Sequence, residues 1–306
     1  MPLKLILQLL IQISASLHSP VHHKQYDFVF HNKMPKAGST TLHIILEGLS
    51  KMNKFNYQKF QSSDFKSVSS NCDAKTSYIV EKELFDSFDK EISDKKPNMI
   101  LMHHYTVNQT KFRQNNREVA LINVIRDPIN WFQSKYYFRR FGRKRTKGEK
   151  STAGNYDKQS FDQTIDECVS NGDPECHQIK YSYLGFICGE DKLCDCQIAN
   201  GLTSRDKYAE IAKRSKDVIK NDYFFIGILE EFDKTLLAFE KILPHYFRNV
   251  HLILKMKSTK KKTEKTKTFP YQKMTNSTRE FFMNGPLRYE YDVYMYAKSL
   301  FYRTIF

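Results

Sequence analysis

A chain of 306 residues, of which 40% are hydrophobic and 14% aromatic, can bury a sizeable core, which excludes an intrinsically disordered protein. Lysine and arginine outnumber aspartate and glutamate by 49 to 34, giving a net charge of +15. This excess indicates an anionic partner, and nucleic acid, an acidic polysaccharide, a nucleotide and a membrane surface all fit it. The chain shows no internal repeat and no clear linker, so one domain is the simplest description.

The apolar run 5–17 near the N-terminus follows a single lysine and contains four polar residues. It is too short and too polar for a membrane span, which needs about 20 apolar residues. We therefore predict a signal peptide or weak signal-anchor over 1–20 and a folded domain over 25–306. Glycosylation sequons at Asn108 and Asn276 agree with passage through the secretory pathway.

Five of the six cysteines lie between 168 and 196, without the spacing of a zinc site. In an oxidising compartment, the short-loop bridges Cys168–Cys176 and Cys188–Cys194 are the natural pairing. The other two cysteines are Cys72 and Cys196, for which a third bridge and free thiols are both open.

The first structured segment reads as a strand, a tight turn and a helix. The apolar run 28–30 predicts the strand, and apolar residues spaced by three and four from 42 to 49 predict the helix. In the turn between them, Gly38 lets the backbone approach an anion, Lys36 adds a positive charge, and the first helical N–H groups face the same anion. The GxxxxGK[ST] spacing of a triphosphatase loop is absent, and a Ser-capped helix start is the alternative interpretation.

Apolar runs at 98–102, 120–125 and 223–229 predict three more strands. Because these runs do not alternate with polar residues and are separated by helical patterns, they predict a parallel sheet covered by helices on both faces. The predicted helices lie at 128–140, 161–169, 206–220, 232–243 and from 287 onward. The polar region 53–93 carries few signals.

Three predicted strands end on polar groups, and parallel sheets bind their ligands at the carboxyl ends of the strands. The first strand leads into the turn 35–41, the second ends on His103 and His104, and the third ends on Arg126. A phosphate-binding turn, a candidate base and an arginine together indicate group transfer to a hydroxyl.

Six segments form a combination that no single motif provides. They are PKAGSTT, LINVIRDPINWFQSKYYFRRFG, ECVSNGDPEC, FICGEDKLC, FFIGILEEFDKTLLAFEKILPHYF and LRYEYDVY, in this order along the chain. Together they resemble the Golgi glycosaminoglycan 2-O-sulfotransferases, the uronyl branch more closely than the heparan sulfate branch. The resemblance implies a P-loop-like α/β fold, a single domain with a central parallel sheet flanked by helices, in the Golgi lumen.

The resemblance implies that the co-substrate is 3′-phosphoadenosine 5′-phosphosulfate and that no metal is needed. By position, Lys36 matches the residue on the bridging oxygen. The residues that match the 5′-phosphate contacts are Gly38, Ser39, Thr40 and Thr41, and Ala37 belongs to the same donor-binding loop. Arg126 and Ser134 match the pair on the 3′-phosphate, for which an arginine fork and a hydroxyl are suited. Lys262 and Thr263 match a late donor-binding loop.

The family's catalytic base is a histidine at the end of the strand before the arginine strand, so His103 and His104 are both candidates. Aligning the segment from the histidine pair onward without a gap favours His103, whereas counting back from Ile122 favours His104. We prefer His103. The neutral imidazole takes the proton of a sugar 2-hydroxyl, whose oxygen attacks sulfur in line with the leaving phosphate. Lys36 stabilises the charge on the leaving oxygen.

The resemblance implies an acidic glycosaminoglycan as partner, heparan sulfate or dermatan/chondroitin sulfate, and not nucleic acid. Lys135, Arg139, Arg140 and Arg143 lie beyond the 3′-phosphate motif, where such a chain would dock, and a solvated basic face is the alternative for them. The heparan-type relatives suggest a homotrimer, and the leader suggests a membrane anchor.

Two other functions compete with the transferase. The first is a secreted basic glycan-binding protein without catalysis, which would keep its function after loss of Lys36 and His103. The second is a phosphate-loop kinase, which the missing loop spacing and the secretory features disfavour.

Overall fold

The sheet at the centre of the fold is parallel throughout the residues that the structure describes. The computed structural model describes residues 26, 28–60, 98–103, 119–141, 162–179, 184–188, 205–256, 259 and 272–305. The strands are β1 (Phe28–Lys33), β2 (Asn56–Phe60), β3 (Asn98–His103), β4 (Val119–Ile125) and β5 (Phe225–Ile228). Their order across the sheet is β2–β3–β1–β4–β5, so β1 lies in the middle.

Burial explains why the central strands carry no alternating pattern. Apart from one partly exposed residue at an end of each, all residues of β1 and β4 are buried. A strand covered on both faces needs apolar side chains in both directions, which is the pattern of a parallel sheet between helices. The predicted fold class, an α/β domain with a central parallel sheet flanked by helices, is therefore confirmed.

Helices follow the strands and pack in two groups. They are α1 (Ser39–Asn53), α2 (Pro128–Phe141), α3 (Ile165–Ser170), α4 (Pro174–His177), α5 (Tyr208–Asn221), α6 (Phe232–Ile242), α7 (Pro244–Phe247), α8 (Val250–Lys255), α9 (Asn276–Asn284) and α10 (Arg288–Ile305). In the first group, α1 packs against α7 and α8, and α6 packs against α7. In the second group, α10 packs along α5, and both α10 and α9 contact α2.

The edge strand β2 was not predicted. Its sequence, Asn-Tyr-Gln-Lys-Phe, has only two apolar residues, because an edge strand next to a single neighbour needs less buried surface. Among the described strands, it pairs only with β3. The polar region 53–93 therefore begins with a strand that an apolar-run criterion cannot detect.

A disulfide joins Cys168 at α3 to Cys176 at α4, the first of the two bridges that the spacing favoured. At the start of α3, Thr164 and Glu167 form a reciprocal capping box. Cys188 is also disulfide-bonded, and its expected partner Cys194 lies outside the described residues.

Several other expectations fall outside the described residues, among them the leader 1–20 and the sequon at Asn108. The second sequon residue, Asn276, is exposed at the start of α9. Within the described ranges, none of the helices has the length and apolarity that a bilayer crossing requires. In the same ranges, no cluster of three potential metal ligands occurs.

We expect Gly227→Ala to destabilise the fold, because a Cβ at this position of β5 would lie 2.1 Å from Thr235 Cγ2. Thr235 cannot turn away freely, since its hydroxyl accepts from the Ile228 N–H and donates to the Ile228 carbonyl, both at 3.0 Å. Overpacking of this kind costs about 1–3 kcal/mol in the free energy of unfolding, which denaturant titration measures.

Thr235→Ser is the matched rescue, because it removes the methyl group and keeps the hydroxyl. The double variant should be more stable than Gly227→Ala alone, although Thr235→Ser by itself should not stabilise the wild type. Additive effects of the two substitutions would contradict the proposed clash.

Candidate active site

The carboxyl ends of β1 and β4 lie side by side at the point where the chain changes direction. After β1 the chain continues to β2 beyond β3, whereas after β4 it reaches β5 at the opposite edge. Such a switch point opens a crevice in which α/β sheets bind their ligands. The segments that meet at this point are the turn 34–38 and the β4–α2 junction with Arg126.

The turn after β1 has the backbone geometry of an anion-binding nest. Lys36 and Gly38 are both left-handed, with φ of 60° and 72°, and Ala37 between them is not. Alternating hand turns successive N–H groups toward one side of the backbone, where they form a concave surface for an anion. In the described part of the chain, no side chain caps α1 and no acidic residue stands in its first turn. The alternative of a Ser-capped helix start is therefore wrong, because Gly38 is the N-cap residue.

Gly38 is required for two separate reasons. Its φ lies in the region that L-residues rarely adopt, and a Cβ there would lie 2.4 Å from Leu229 Cδ1. Leu229 directly follows β5, so the turn after β1 packs against the end of a strand two positions away in the sheet.

Two side chains of the β4–α2 segment hold the turn by its carbonyl groups. Trp131 Nε1–H donates to the Pro35 carbonyl at 2.7 Å, and Arg126 Nη1–H donates to the Lys36 carbonyl at 3.1 Å. The described peptide bonds are all trans, so the N–H of each of these peptides points opposite to its carbonyl. The N–H groups of Lys36 and Ala37 are thereby directed away from α2, as an anion site requires.

One stripe of α2 faces this turn. Trp131, Ser134 and Phe138 stand at i, i+3 and i+7, which is one face of a helix. Ser134 is 2% exposed, and the Lys36 Nζ lies 3.8 Å from the centroid of the Phe138 ring. The predicted 3′-phosphate residues and the predicted phosphosulfate turn are thus brought together.

Glu230, after β5, fixes the main chain next to Arg126. Its carboxylate accepts from the Asp127 N–H at 3.1 and 3.2 Å, and Tyr294 OH donates to the same carboxylate at 3.1 Å. Burial, and next the Glu230 charge, raise the pKa of Tyr294, so its hydroxyl stays a donor.

Asp127 ties the start of α2 to α9. Its side chain accepts from the Asn130 N–H at 2.9 Å and pairs with Arg279 Nη2 at 2.8 Å. Arg279 Nη1–H also donates to Asn130 Oδ1 at 3.1 Å. The ion-pair partner of Asp127 is therefore Arg279 of α9.

His103 is the last residue of β3 and pairs with Lys33 at the end of β1. It therefore lies at the carboxyl ends of the strands, where the turn also lies. This main-chain position is compatible with the catalytic base that the resemblance implies at the end of this strand. The other predicted residues His104, Arg143, Lys262 and Thr263 lie outside the described residues.

The basic residues of α2 differ in what they contact. Lys135 lies over the Trp131 ring at 4.9 Å, and burial followed by the Arg139 charge lowers the pKa of Lys135 to about 7. Arg139 is partly exposed and lies 3.7 Å from Glu175.

Arg140 does not lie where a glycan-binding residue should. It is 1% exposed, donates to both Glu175 oxygens at 3.3 and 2.8 Å, and stacks on the Tyr136 ring at 3.5 Å. A buried, bidentate guanidinium supports the fold, so we remove Arg140 from the substrate-binding set.

Sequence reasoning missed Trp131, Glu230, Arg279 and Tyr294. Glu230 directly follows the apolar run 223–229, so the rule that identified Arg126 applies to it equally. The other three side chains come from helix surfaces, and nothing in the local sequence indicates their direction.

No family model matches the chain. Among curated proteins, it is 28% identical over 296 residues to uronyl 2-sulfotransferase of Homo sapiens, covering 93% of this chain and 66% of that protein. It is 27% identical over 303 residues to heparan sulfate 2-O-sulfotransferase 1 of Xenopus laevis, covering 91% and 78%. The chain therefore spans slightly less than two thirds of the human uronyl 2-sulfotransferase.

Two solved structures are more distantly similar. Retinol dehydratase in complex with androsterone and the inactive cofactor PAP matches with a TM-score of 0.35 and 9% identity, over 89% of this chain and 80% of that one. Mouse sulfotransferase SULT7A1 complexed with PAP matches with a TM-score of 0.25 and 12% identity, over 79% and 90%. The curated proteins confirm the resemblance carried by the motifs: over about nine tenths of its length, this chain is similar to uronyl and heparan sulfate 2-O-sulfotransferases.

Proposed function

We propose that this chain transfers the sulfuryl group of 3′-phosphoadenosine 5′-phosphosulfate to the 2-hydroxyl of a uronic acid in heparan sulfate or dermatan/chondroitin sulfate. The observation that carries the proposal is the left-handed pair Lys36 and Gly38 beside Arg126 at the switch point. The names of the curated relatives, which are 2-O-sulfotransferases, agree with this chemistry.

The donor lies across the crevice in this proposal. Its 5′-phosphosulfate occupies the nest, on the N–H groups from Lys36 to the start of α1. Its 3′-phosphate contacts Arg126 and Ser134, and Ser134 belongs to the stripe of α2 that faces the turn. Lys262 and Thr263 remain predicted contacts to the nucleotide.

The transfer then follows from the positions of charge. The neutral imidazole of His103, or of His104, takes the proton from the sugar 2-hydroxyl as its oxygen forms a bond to sulfur. The bond from sulfur to the bridging oxygen breaks, and adenosine 3′,5′-bisphosphate leaves. The negative charge that develops on the bridging oxygen is stabilised by the Lys36 ammonium and the N–H groups of the nest.

The leader, the disulfides and the exposed Asn276 support the Golgi lumen as the site of action. Anchoring as a type II membrane protein, glycosylation and a homotrimer belong to the same proposal. The acidic glycan partner agrees with the net charge of +15.

The experiment that tests the function is sulfate transfer from labelled donor onto a panel of desulfated glycosaminoglycans, followed by disaccharide analysis. We expect 2-O-sulfated uronic acid in heparan, dermatan or chondroitin products. Lys36→Ala should lower kcat by roughly 10²–10³-fold, and His103→Ala by roughly 10²–10⁴-fold.

Lys51→Ala is the control, because Lys51 is exposed in the last turn of α1. His104→Ala is tested alongside His103→Ala, and the substitution that abolishes transfer identifies the base. Glycan binding without transfer by the wild type would favour the non-catalytic binding protein, and product sulfated only on glucosamine would refute the acceptor.

Glu230→Ala should weaken recognition of the 3′-phosphate, because Glu230 holds the main chain next to Arg126. Loss of a charged hydrogen bond costs about 1.5 kcal/mol, or roughly tenfold in affinity. We expect this loss for adenosine 3′,5′-bisphosphate and a smaller one for adenosine 5′-monophosphate, measured by calorimetry.

Glu231→Ala is the matched control, because its carboxylate accepts from Tyr302 OH at 2.6 Å and pairs with Lys234. Equal losses for the two nucleotides in Glu230→Ala would mean that Glu230 supports the fold without orienting Arg126.

Glycan affinity should depend on the protonation of Lys135, which is charged below its pKa of about 7 and neutral above it. Wild type should therefore bind a sulfated oligosaccharide like Lys135→Arg at about pH 6 and like Lys135→Gln at about pH 8.5. The test is to measure the dissociation constants of the oligosaccharide for the three proteins at both pH values and at fixed ionic strength. Parallel pH curves for wild type and Lys135→Arg would remove Lys135 from the glycan site.

A further inference from the structure

The Lys36 ammonium lies over the face of an aromatic ring. Its Nζ is 3.8 Å from the centroid of Phe138, well inside the distance of about 6 Å at which a ring attracts a cation. The Lys36 backbone is left-handed, and its carbonyl is bonded to Arg126. The root of the side chain is therefore fixed independently of the ring.

The ring is fixed as well. Phe138 lies on the α2 stripe that begins with Trp131, which is bonded to the turn itself. The first turn of α2 is anchored by Asp127, and the last by Arg140 in its pair with Glu175. Phe138 thus stands on a helix that is held at both ends.

We infer that Phe138 is a positioning residue that holds the Lys36 ammonium beside the turn until the donor binds. The inference rests on the proposed function of Lys36. An aromatic face attracts a cation but offers no lone pair, so the phosphosulfate oxygens, which form charge-assisted hydrogen bonds, take the ammonium over. A cation–π contact changes the population of the held rotamer by a factor of about 2 to 30.

This role differs from that of a carboxylate at the same position. A carboxylate would pair with Lys36 and would repel the anionic donor, whereas the ring does neither. Phe138 therefore holds the cation in place while the electrostatic potential of the site stays positive.

The test compares Phe138→Leu with ring-fluorinated phenylalanines at position 138 in the full chain. Fluorine withdraws the negative charge of the ring face and hardly changes its size. We expect kcat/KM for the donor to fall stepwise with each added fluorine, and by about 2- to 30-fold in Phe138→Leu, because the ring acts before the donor takes the ammonium over. The value of kcat at saturating donor should change less than about twofold.

Phe281→Leu is the matched control, because Phe281 is a half-buried phenylalanine on α9 that packs against Phe282 and His177. It should leave kcat/KM for the donor unchanged. Full activity in the fluorinated series would overturn the inference, because a ring that only fills space tolerates fluorine.

A second readout does not depend on activity. The ring current of Phe138 should shift the Lys36 ε-methylene protons upfield in the donor-free protein, and Phe138→Leu or added donor should abolish the shift. A wild type without transfer activity would refute the proposed function, and this NMR measurement would still decide the inference. An unshifted Lys36 signal in the wild type would overturn it.

Discussion

The hydrogen bond from Arg126 to the Lys36 carbonyl joins two parts of the sheet where they separate. β1 and β4 are paired from Phe28 with Val119 to His31 with Ile122, and beyond this point each leads into its own turn and helix. The Arg126 bond, together with the Trp131 bond to the same turn, bridges the opening. The nest and the arginine therefore keep a fixed separation, which suits the proposed donor, with phosphates at the 3′ and 5′ positions of its ribose.

Helix α2 carries this arrangement, and both of its ends are tied to distant segments. Arg279 and Glu230 hold its start, while Glu175 holds Arg140 near its end. Glu175 precedes a cysteine of the disulfide Cys168–Cys176, so the bridge sets the position of the carboxylate. Removing one partner of a buried pair costs about 3–5 kcal/mol, so loss of Glu175 would destabilise the end of α2 and affect the site through this helix.

The sequence sufficed for features that depend on local pattern. Apolar runs identified four of the five described strands, and small residues after β1 identified the turn, because both signals lie within a few positions. The edge strand β2 was missed because it is only partly apolar. Arg140 was misassigned because a guanidinium on a basic stretch looks the same whether it meets a glycan or Glu175. Only the tertiary contact of Arg140 on α2 with Glu175 on α4 distinguishes the two.

The position of Lys36 shows how the site is preorganised. A left-handed lysine costs about 1–2 kcal/mol, and a glycine would avoid this cost. The bonds from Trp131 and Arg126 to the turn offset it, since each contributes about 0.5–3 kcal/mol. Both bonds run between groups of the protein itself, so in the proposed function the donor binds to a preorganised turn. What remains to be ordered is the lysine side chain, and the Phe138 ring orders it without adding a negative charge to an anion site.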